Sequence, residues 1–274
     1  VAERESQIVL GLDPDPRALW PHVRGMDGEA AGTPARAAAR AVLDHCVAVI
    51  EATAQACVAV KLQLARFEAL GAEGWVAMEG VAAHARAAGL LVIADGKRGD
   101  IDVSAAAYAG ALTAGTDTPF GLLPGLRADL VTVNPLMGRD TIEPFVRAAR
   151  SVGAGVLVLV RTSNPGAADI EDLRLAEGGA VWERAAALVE ELGRAGRGAA
   201  GLSDVGAVVG ATAPEHLARA RELMGSAPFL LPGVGAQGGR VEDLAPAFAV
   251  GRAGGLVTAS RSIVGAHLAR GGEP

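Results

Sequence analysis

Eight short runs of aliphatic and β-branched residues punctuate the sequence, and a longer Ala/Leu/Arg/Glu segment of helical period follows each one. The runs are IVLGLD (8–13), CVAVKLQ (57–63), LLVIADGK (90–97), LVTVNP (130–135), GVLVLVRTS (155–163), VGAVVGAT (205–212), FLLPGVG (229–235) and GLVTASR (255–261). Helices are expected near 35–55, 73–88, 103–115, 140–150, 180–196, 214–224, 241–249 and 262–269. Strands this continuously apolar need cover on both faces, which a parallel sheet flanked by helices supplies. Eight βα units in 274 residues predict an α/β protein with one (β/α)8 barrel, of the TIM type, as a single domain over 1–274. A doubly wound open sheet is the alternative. No stretch reads as an interdomain linker.

In such a barrel the C-terminal strand ends converge on one face. Asp13, Lys61, Asp95 with Lys97, Asn134, Thr162 with Ser163, Thr212, Gly233 to Gly239, and Ser260 with Arg261 all fall at those ends. Polar groups scattered in sequence are therefore expected to share one pocket. The stretch 164–178 is expected to form a mobile loop on the same face.

The cations carry a further signal. The chain has 23 Arg and only two Lys, Lys61 and Lys97, and both sit at predicted strand ends. Arginine supplies charge but cannot usefully give up a proton, whereas lysine can, and its compact ammonium fits among carboxylates. Asp95 and Lys97 are two residues apart, so both can point to one side of a strand end. Asp100 follows after Gly99, where the chain should turn toward the next helix. Alone, D-x-K-x-x-D could be a solvated turn with a weak surface ion pair. Beside Lys61 on the neighbouring strand, it can form an alternating network of two ammoniums and two carboxylates. Carboxylates next to Lys97 would keep it protonated, which suits a general acid.

PGVGAQGGR (232–240) follows the seventh run and ASRS (259–262) the eighth. Loops in these positions, with a helix N-terminus, are the usual phosphate site of such barrels. Glycines such as Gly235 let backbone N–H groups approach an anion, Gln237 can donate from its amide, and Arg261 can hold oxygens in a bidentate grip.

Composition excludes several classes. Net charge is −6, and nine aromatic residues show no interleaving with arginine, so no nucleic-acid partner is expected. Apolar runs such as GVLVLV are too short to cross a bilayer, and VAERESQ lacks the blocks of a secretory signal, so a cytoplasmic location is expected. Cys46 and Cys57 lack metal or redox spacing and read as buried reduced thiols. Five dispersed histidines offer no metal motif.

These motifs, in this order, resemble those of the orotidine 5′-phosphate decarboxylase family, particularly its bacterial form with a Ser-Asn-Pro-Gly segment. GLDPDP (11–16), VKLQ (60–63), DGKRGDI (95–101), RTSNPG (161–166), VVGAT (208–212), PGVGAQGG (232–239) and SRSI (260–263) carry the likeness across nearly the whole chain. The resemblance implies a dimeric (β/α)8 barrel that converts orotidine 5′-monophosphate (OMP) to UMP and CO2 without metal or organic cofactor. It implies Lys61, Asp95, Lys97 and Asp100 as the charged tetrad, with Lys97 protonating C6 of the pyrimidine and Asp100 reaching the partner subunit's site. Asp13 would bind a ribose hydroxyl and Ser163 the pyrimidine edge. Gln237 and Arg261, with Gly235, would take the phosphate, and Ser104 stands where a substrate-contacting Thr is typical. Leu62, Asp102 and Leu136 depart from the family pattern without removing a tetrad residue. Two other enzyme readings stand beside it. Mg2+-dependent sugar-phosphate decarboxylases or aldolases of the same barrel group use a Glu on the second strand, where Lys61 stands here. A Schiff-base aldolase would need a depressed lysine pKa, which flanking aspartates oppose. A non-catalytic nucleotide-phosphate-binding barrel is the reading from a different class.

Overall fold

The apolar runs find cover on both faces by closing into a parallel barrel, seen in a computed structural model that describes residues 1–23, 32–235, 238–269 and 271–272. Its strands are β1 (Ile8–Leu12), β2 (Ala59–Gln63), β3 (Leu91–Arg98), β4 (Leu130–Val133), β5 (Gly155–Arg161), β6 (Val205–Val209), β7 (Phe229–Leu231) and β8 (Gly255–Ala259). Each pairs in parallel with the next, and β8 pairs back onto β1 through Val9 and Thr258. The (β/α)8 expectation holds and the open-sheet alternative does not. Most predicted strands ran slightly long, because their polar tails, such as 162–163 and 232–235, leave the ladder to form the mouth.

Among the described residues, six α-helices of eight residues or more cover the outside: α1 (Pro34–Thr53), α2 (Ala72–Ala87), α3 (Asp102–Ala109), α4 (Arg139–Ser151), α5 (Val181–Gly193) and α6 (Pro214–Leu223). In α1, Val42, Cys46, Val49 and Ile50 are buried at the spacing of one helical face. Thr33 caps this helix by accepting the Arg36 N–H, and Pro34 occupies the first position, where a missing N–H costs nothing.

Three predicted helices differ in form. The one expected over 103–115 ends as a π-helical turn, Gly110–Ala114. The seventh is a 3-10 helix, Val241–Phe248, containing Pro246, which cannot donate to an α-helical ladder. The eighth is split at Gly265 into Arg261–Val264 and Ala266–Ala269. A short antiparallel hairpin, Thr116–Thr118 with Gly121–Leu123, was not anticipated.

The barrel interior explains where the site lies. Val9, Ala59, Ile93, Leu157, Val208, Leu230 and Leu256 form a buried cluster. Strand side chains alternate with period two, so the next inward positions are Gly11, Lys61, Asp95, Leu159, Gly210, Pro232 and Thr258. An apolar floor is thus followed, one rung higher, by two opposite charges. Gly11 is required there: a Cβ at this position would lie 2.8 Å from Ser260 Cβ, where β1 and β8 come together.

Candidate active site

The mouth opens into a cavity of about 1300 Å3. On one side stand Lys61, Asp95 and Lys97; Asp13 and Ser163 line it as well, and Gly233, Ser260 and Arg261 stand at the β7/β8 ends.

Lys97 owes its position to an irregular ladder. Ala94 pairs with Val131, and the next pair is Arg98 with Val133, so four steps along β3 match two along β4. Gly96 and Lys97 bow out of the β3–β4 ladder as a result, while Asp95 stays paired with Gln63 of β2. Lys97 has φ +48°, in the left-handed region that strains any residue with a Cβ. Such strain persists only where the surroundings over-determine it. Here the Lys97 N–H donates to Thr132 Oγ1 at 2.9 Å, and Gly96 is held so closely that a Cβ would meet Leu64 Cδ2 at 2.7 Å.

Asp95 is the hub. Its Oδ2 accepts from Lys61 Nζ at 2.8 Å, and its Oδ1 accepts from Lys97 Nζ at 2.7 Å and from Thr132 Oγ1 at 2.9 Å. Asp95 and Lys61 are buried, whereas the Lys97 side chain is 43% exposed and faces the cavity. Burial pushes the Asp95 carboxyl up, but the ammoniums of Lys61 and Lys97 outweigh it and hold the group down at about 2. Lys61 Nζ also lies 3.8 Å from Asp13 Oδ1. That buried Asp13 oxygen accepts no hydrogen bond among the described residues, which leaves an acceptor open beside the cavity.

The opposite edge is built differently. Gly233, Gly235 and Gly238 all have positive φ, and the Gly235 N–H donates to Gly239 O at 3.0 Å. Gly233 and Val234 line the cavity, but Gly235 does not. Arg261 opens the one-turn helix after β8, and its side chain is exposed at the mouth. Gln237 lies outside the described residues.

Asp100 and Ser104 are not among the residues lining this chain's cavity. Asp100 Oδ1 accepts the Ile101 N–H at 2.8 Å, and the apolar side chains of Ile101 and Val103 after it, and of Leu136 and Met137 after β4, are exposed. Of the departures noted in the sequence, Leu62 is buried in the core, Leu136 lies in this exposed group, and Asp102 takes a φ of +43°.

The stretch 164–178 has a definite base. Arg161 grips Asp172 through two hydrogen bonds of 2.9 Å, and Glu171 accepts from the Thr162 N–H and hydroxyl at 2.8 and 2.9 Å. Before these anchors it forms a 3-10 turn, Pro165–Asp169. Both cysteines are free and buried. Among the described residues, no three His, Cys, Asp or Glu side chains converge as a metal-binding group, and no helix is long and apolar enough to cross a membrane.

Sequence reasoning missed Thr132 and Glu171. A polar residue inside the apolar run LVTV was the available signal for Thr132. Glu171 gave none, because its partners, the Thr162 N–H and hydroxyl and the Arg161 guanidinium 3.6 Å away, meet it only once the loop folds back.

Fold and site together define the class: a (β/α)8-barrel enzyme whose mouth is centred on a lysine–aspartate–lysine chain. The chain belongs to the orotidine 5′-phosphate decarboxylase / HUMPS family, whose profile matches residues 6–270. It is 41% identical over 265 residues to the orotidine 5′-phosphate decarboxylase of Rhodopirellula baltica, covering 96% of this chain and 84% of that one. With the enzyme of the same name from Deinococcus radiodurans it shares 48% over 216 residues, 78% of this chain and 74% of that one. The solved OMP decarboxylase of Leishmania donovani superposes with a TM-score of 0.71 at 32% identity, over 96% of this chain and 88% of that one. UMP synthase of the same organism matches with a TM-score of 0.72 at 32% identity; there the chain spans 51% of the larger protein's length.

Proposed function

We propose that this protein decarboxylates OMP to UMP and CO2 in pyrimidine biosynthesis, using its own side chains without metal or organic cofactor. The observation that carries the reading is the Lys61–Asp95–Lys97 chain, with a half-exposed ammonium held at a strained backbone position in the cavity. When the bond from C6 to the carboxylate breaks, its electron pair stays on C6 and CO2 leaves. No neighbouring carbonyl delocalises that charge well. Lys97 Nζ gives C6 a proton, the C6–H bond forms, and solvent returns a proton to the amine. An ammonium already fixed by Asp95 and Thr132 stabilises the developing charge without reorganising, which is where large electrostatic rate effects arise.

In this reading Asp13 accepts from a ribose hydroxyl, matching its open acceptor, and Ser163 meets the pyrimidine edge. Arg261 and Gln237, with the Gly235 turn, take the phosphate. Contacts so far from the broken bond contribute binding energy that holds the base against the charged chain. Lys61 Nζ, 2.8 Å from Asp95 Oδ2, sets an ammonium against the carboxylate, which disfavours the Mg2+-dependent alternative. Asp100, which does not line its own cavity and is followed by the exposed Ile101 and Val103, is suited to complete the partner subunit's site in a homodimer, with Ser104 on the same segment.

The test is loss of the OMP chromophore, with and without EDTA, for wild type and Lys97→Ala. EDTA-insensitive turnover that falls about 10,000-fold in Lys97→Ala is expected. Turnover of a sugar phosphate only, dependent on Mg2+, would overturn the proposal.

A further inference from the structure

We propose that Trp20 is a positioning residue for the phosphate end of the site, fastening the loop after β1 to the helix that carries Arg261. The inference rests on Arg261 as a phosphate ligand and goes beyond it by naming what holds Arg261 in place.

Trp20 lies seven residues beyond Asp13, is 8% exposed, and lines the cavity. Its backbone N–H donates to Nδ1 of the buried His45 on α1 at 3.2 Å, which ties the loop to a long helix. Its ring stands edge-on between two imidazoles, with centroids 5.4 Å from His45 and 6.0 Å from His267. Its Nε1–H then donates to Val264 O at 3.0 Å. Val264 closes the one-turn helix Arg261–Val264.

A helix of four residues cannot hold itself in water, since nucleation costs more than so few hydrogen bonds return. Its terminal carbonyls also need partners from outside. The Trp20 indole supplies one of them, from a loop anchored on α1. Among the described residues, Arg261 itself makes no hydrogen bond or ion pair that would fix its guanidinium. Its place at the mouth therefore depends on where its helix is held. Trp20 acts through that helix, with Asp13 and Arg261 joined into one frame for the sugar phosphate.

The experiment compares Trp20→Phe, which keeps a ring and removes the N–H, with wild type on OMP and on orotidine, which lacks the phosphate. The expected result is a five- to tenfold loss in kcat/KM on OMP, mainly in KM, as for one lost hydrogen bond. That loss should exceed the loss on orotidine at least about threefold. In an Arg261→Ala background, Trp20→Phe should add less than about twofold, because the two act on one interaction. Equal losses on both substrates, or a full additional loss without Arg261, would reduce Trp20 to a structural role and overturn the proposal. Calorimetric titration with UMP and with inorganic phosphate reads the anion site without turnover. A wild type inert toward OMP would sink the decarboxylase reading, while unchanged phosphate affinity in Trp20→Phe would sink this one. Should Trp20→Phe not fold, His267→Ala loosens the same contact from the outer side. It should show a smaller loss, about twofold, confined to phosphorylated ligands; no such selectivity would also overturn the proposal.

Discussion

The two edges of the barrel mouth are built on opposite plans. At β2, β3 and β4, one buried carboxylate takes Lys61, Lys97 and Thr132 within 2.9 Å, and even the backbone of Lys97 is held in a strained conformation. At β7 and β8, the first of the two strands is only three residues long, the turn after it is rich in positive-φ glycine, and Arg261 sits exposed on a four-residue helix. In the proposed reaction the first edge would face the bond that breaks, where charges fixed in advance lower the barrier. The second would face the phosphate, remote from the chemistry, where groups can settle around their ligand on arrival. On that assignment, the fixed geometry is concentrated where a displaced charge would slow the reaction.

Substitutions at each edge should expose this contrast. Asp95→Asn is expected to have the largest effect, lowering kcat for OMP about 1000-fold. It also leaves the buried Lys61 ammonium without its counter-charge, at a cost of about 3–5 kcal/mol. Melting should fall by about 10 °C for a chain of this size. Stability unchanged by this variant would mean that the edge is less rigid than its geometry indicates. Arg261→Ala should lower kcat/KM for OMP about 100-fold, the scale of hydrogen bonds to a charged group, while melting shifts by no more than about 1 °C. If orotidine suffered equally, the division of labour between the edges would fail. Thr132→Val keeps the side-chain shape and removes one donor to Asp95 and the acceptor for the Lys97 N–H. A loss of about tenfold, in kcat rather than KM, is the expected signature.

The smallest effect concerns pH. Asp95 is held at about 2 in the folded protein, below its ordinary value. Its contribution to stability is therefore fully present above the unfolded carboxyl value near 4 and is lost as pH falls through about 2. Denaturant titrations of wild type and Asp95→Asn should differ by a constant amount from about pH 5 to 8 and converge toward pH 2. Convergence already near pH 5 would place the carboxyl in an ordinary environment.

The same contrast separates what the sequence revealed from what it hid. The barrel was legible because strands covered on both faces are apolar throughout, so the alternation of runs and helices survives in composition. The charged edge was legible because lysine is rare in a chain that otherwise uses arginine, and both exceptions sit at strand ends. Thr132 escaped notice since threonine within V-T-V reads as ordinary strand propensity. The hairpin at 116–123 is too short to carry a period. Trp20 could not be found at all, because its partner Val264 is 244 residues away and offers only a carbonyl. Asp100 is marked by D-x-K-x-x-D, but the expectation that it reaches across a dimer rests on family resemblance alone.

The pairing of β8 with β1 also bears on how the protein comes into being. As the chain leaves the ribosome, Lys61, Asp95 and Lys97 can assemble once β4 brings Thr132 alongside them. Asp13 and Arg261 cannot meet across the mouth until residues 255–259 have been synthesised and have zipped onto β1. Until then one edge of β1 is unpaired, a state prone to sticking to other chains and one that chaperones guard. If the proposed phosphate site is right, catalytic competence arrives late in translation, when the eighth strand gives the nucleotide a far wall to rest against.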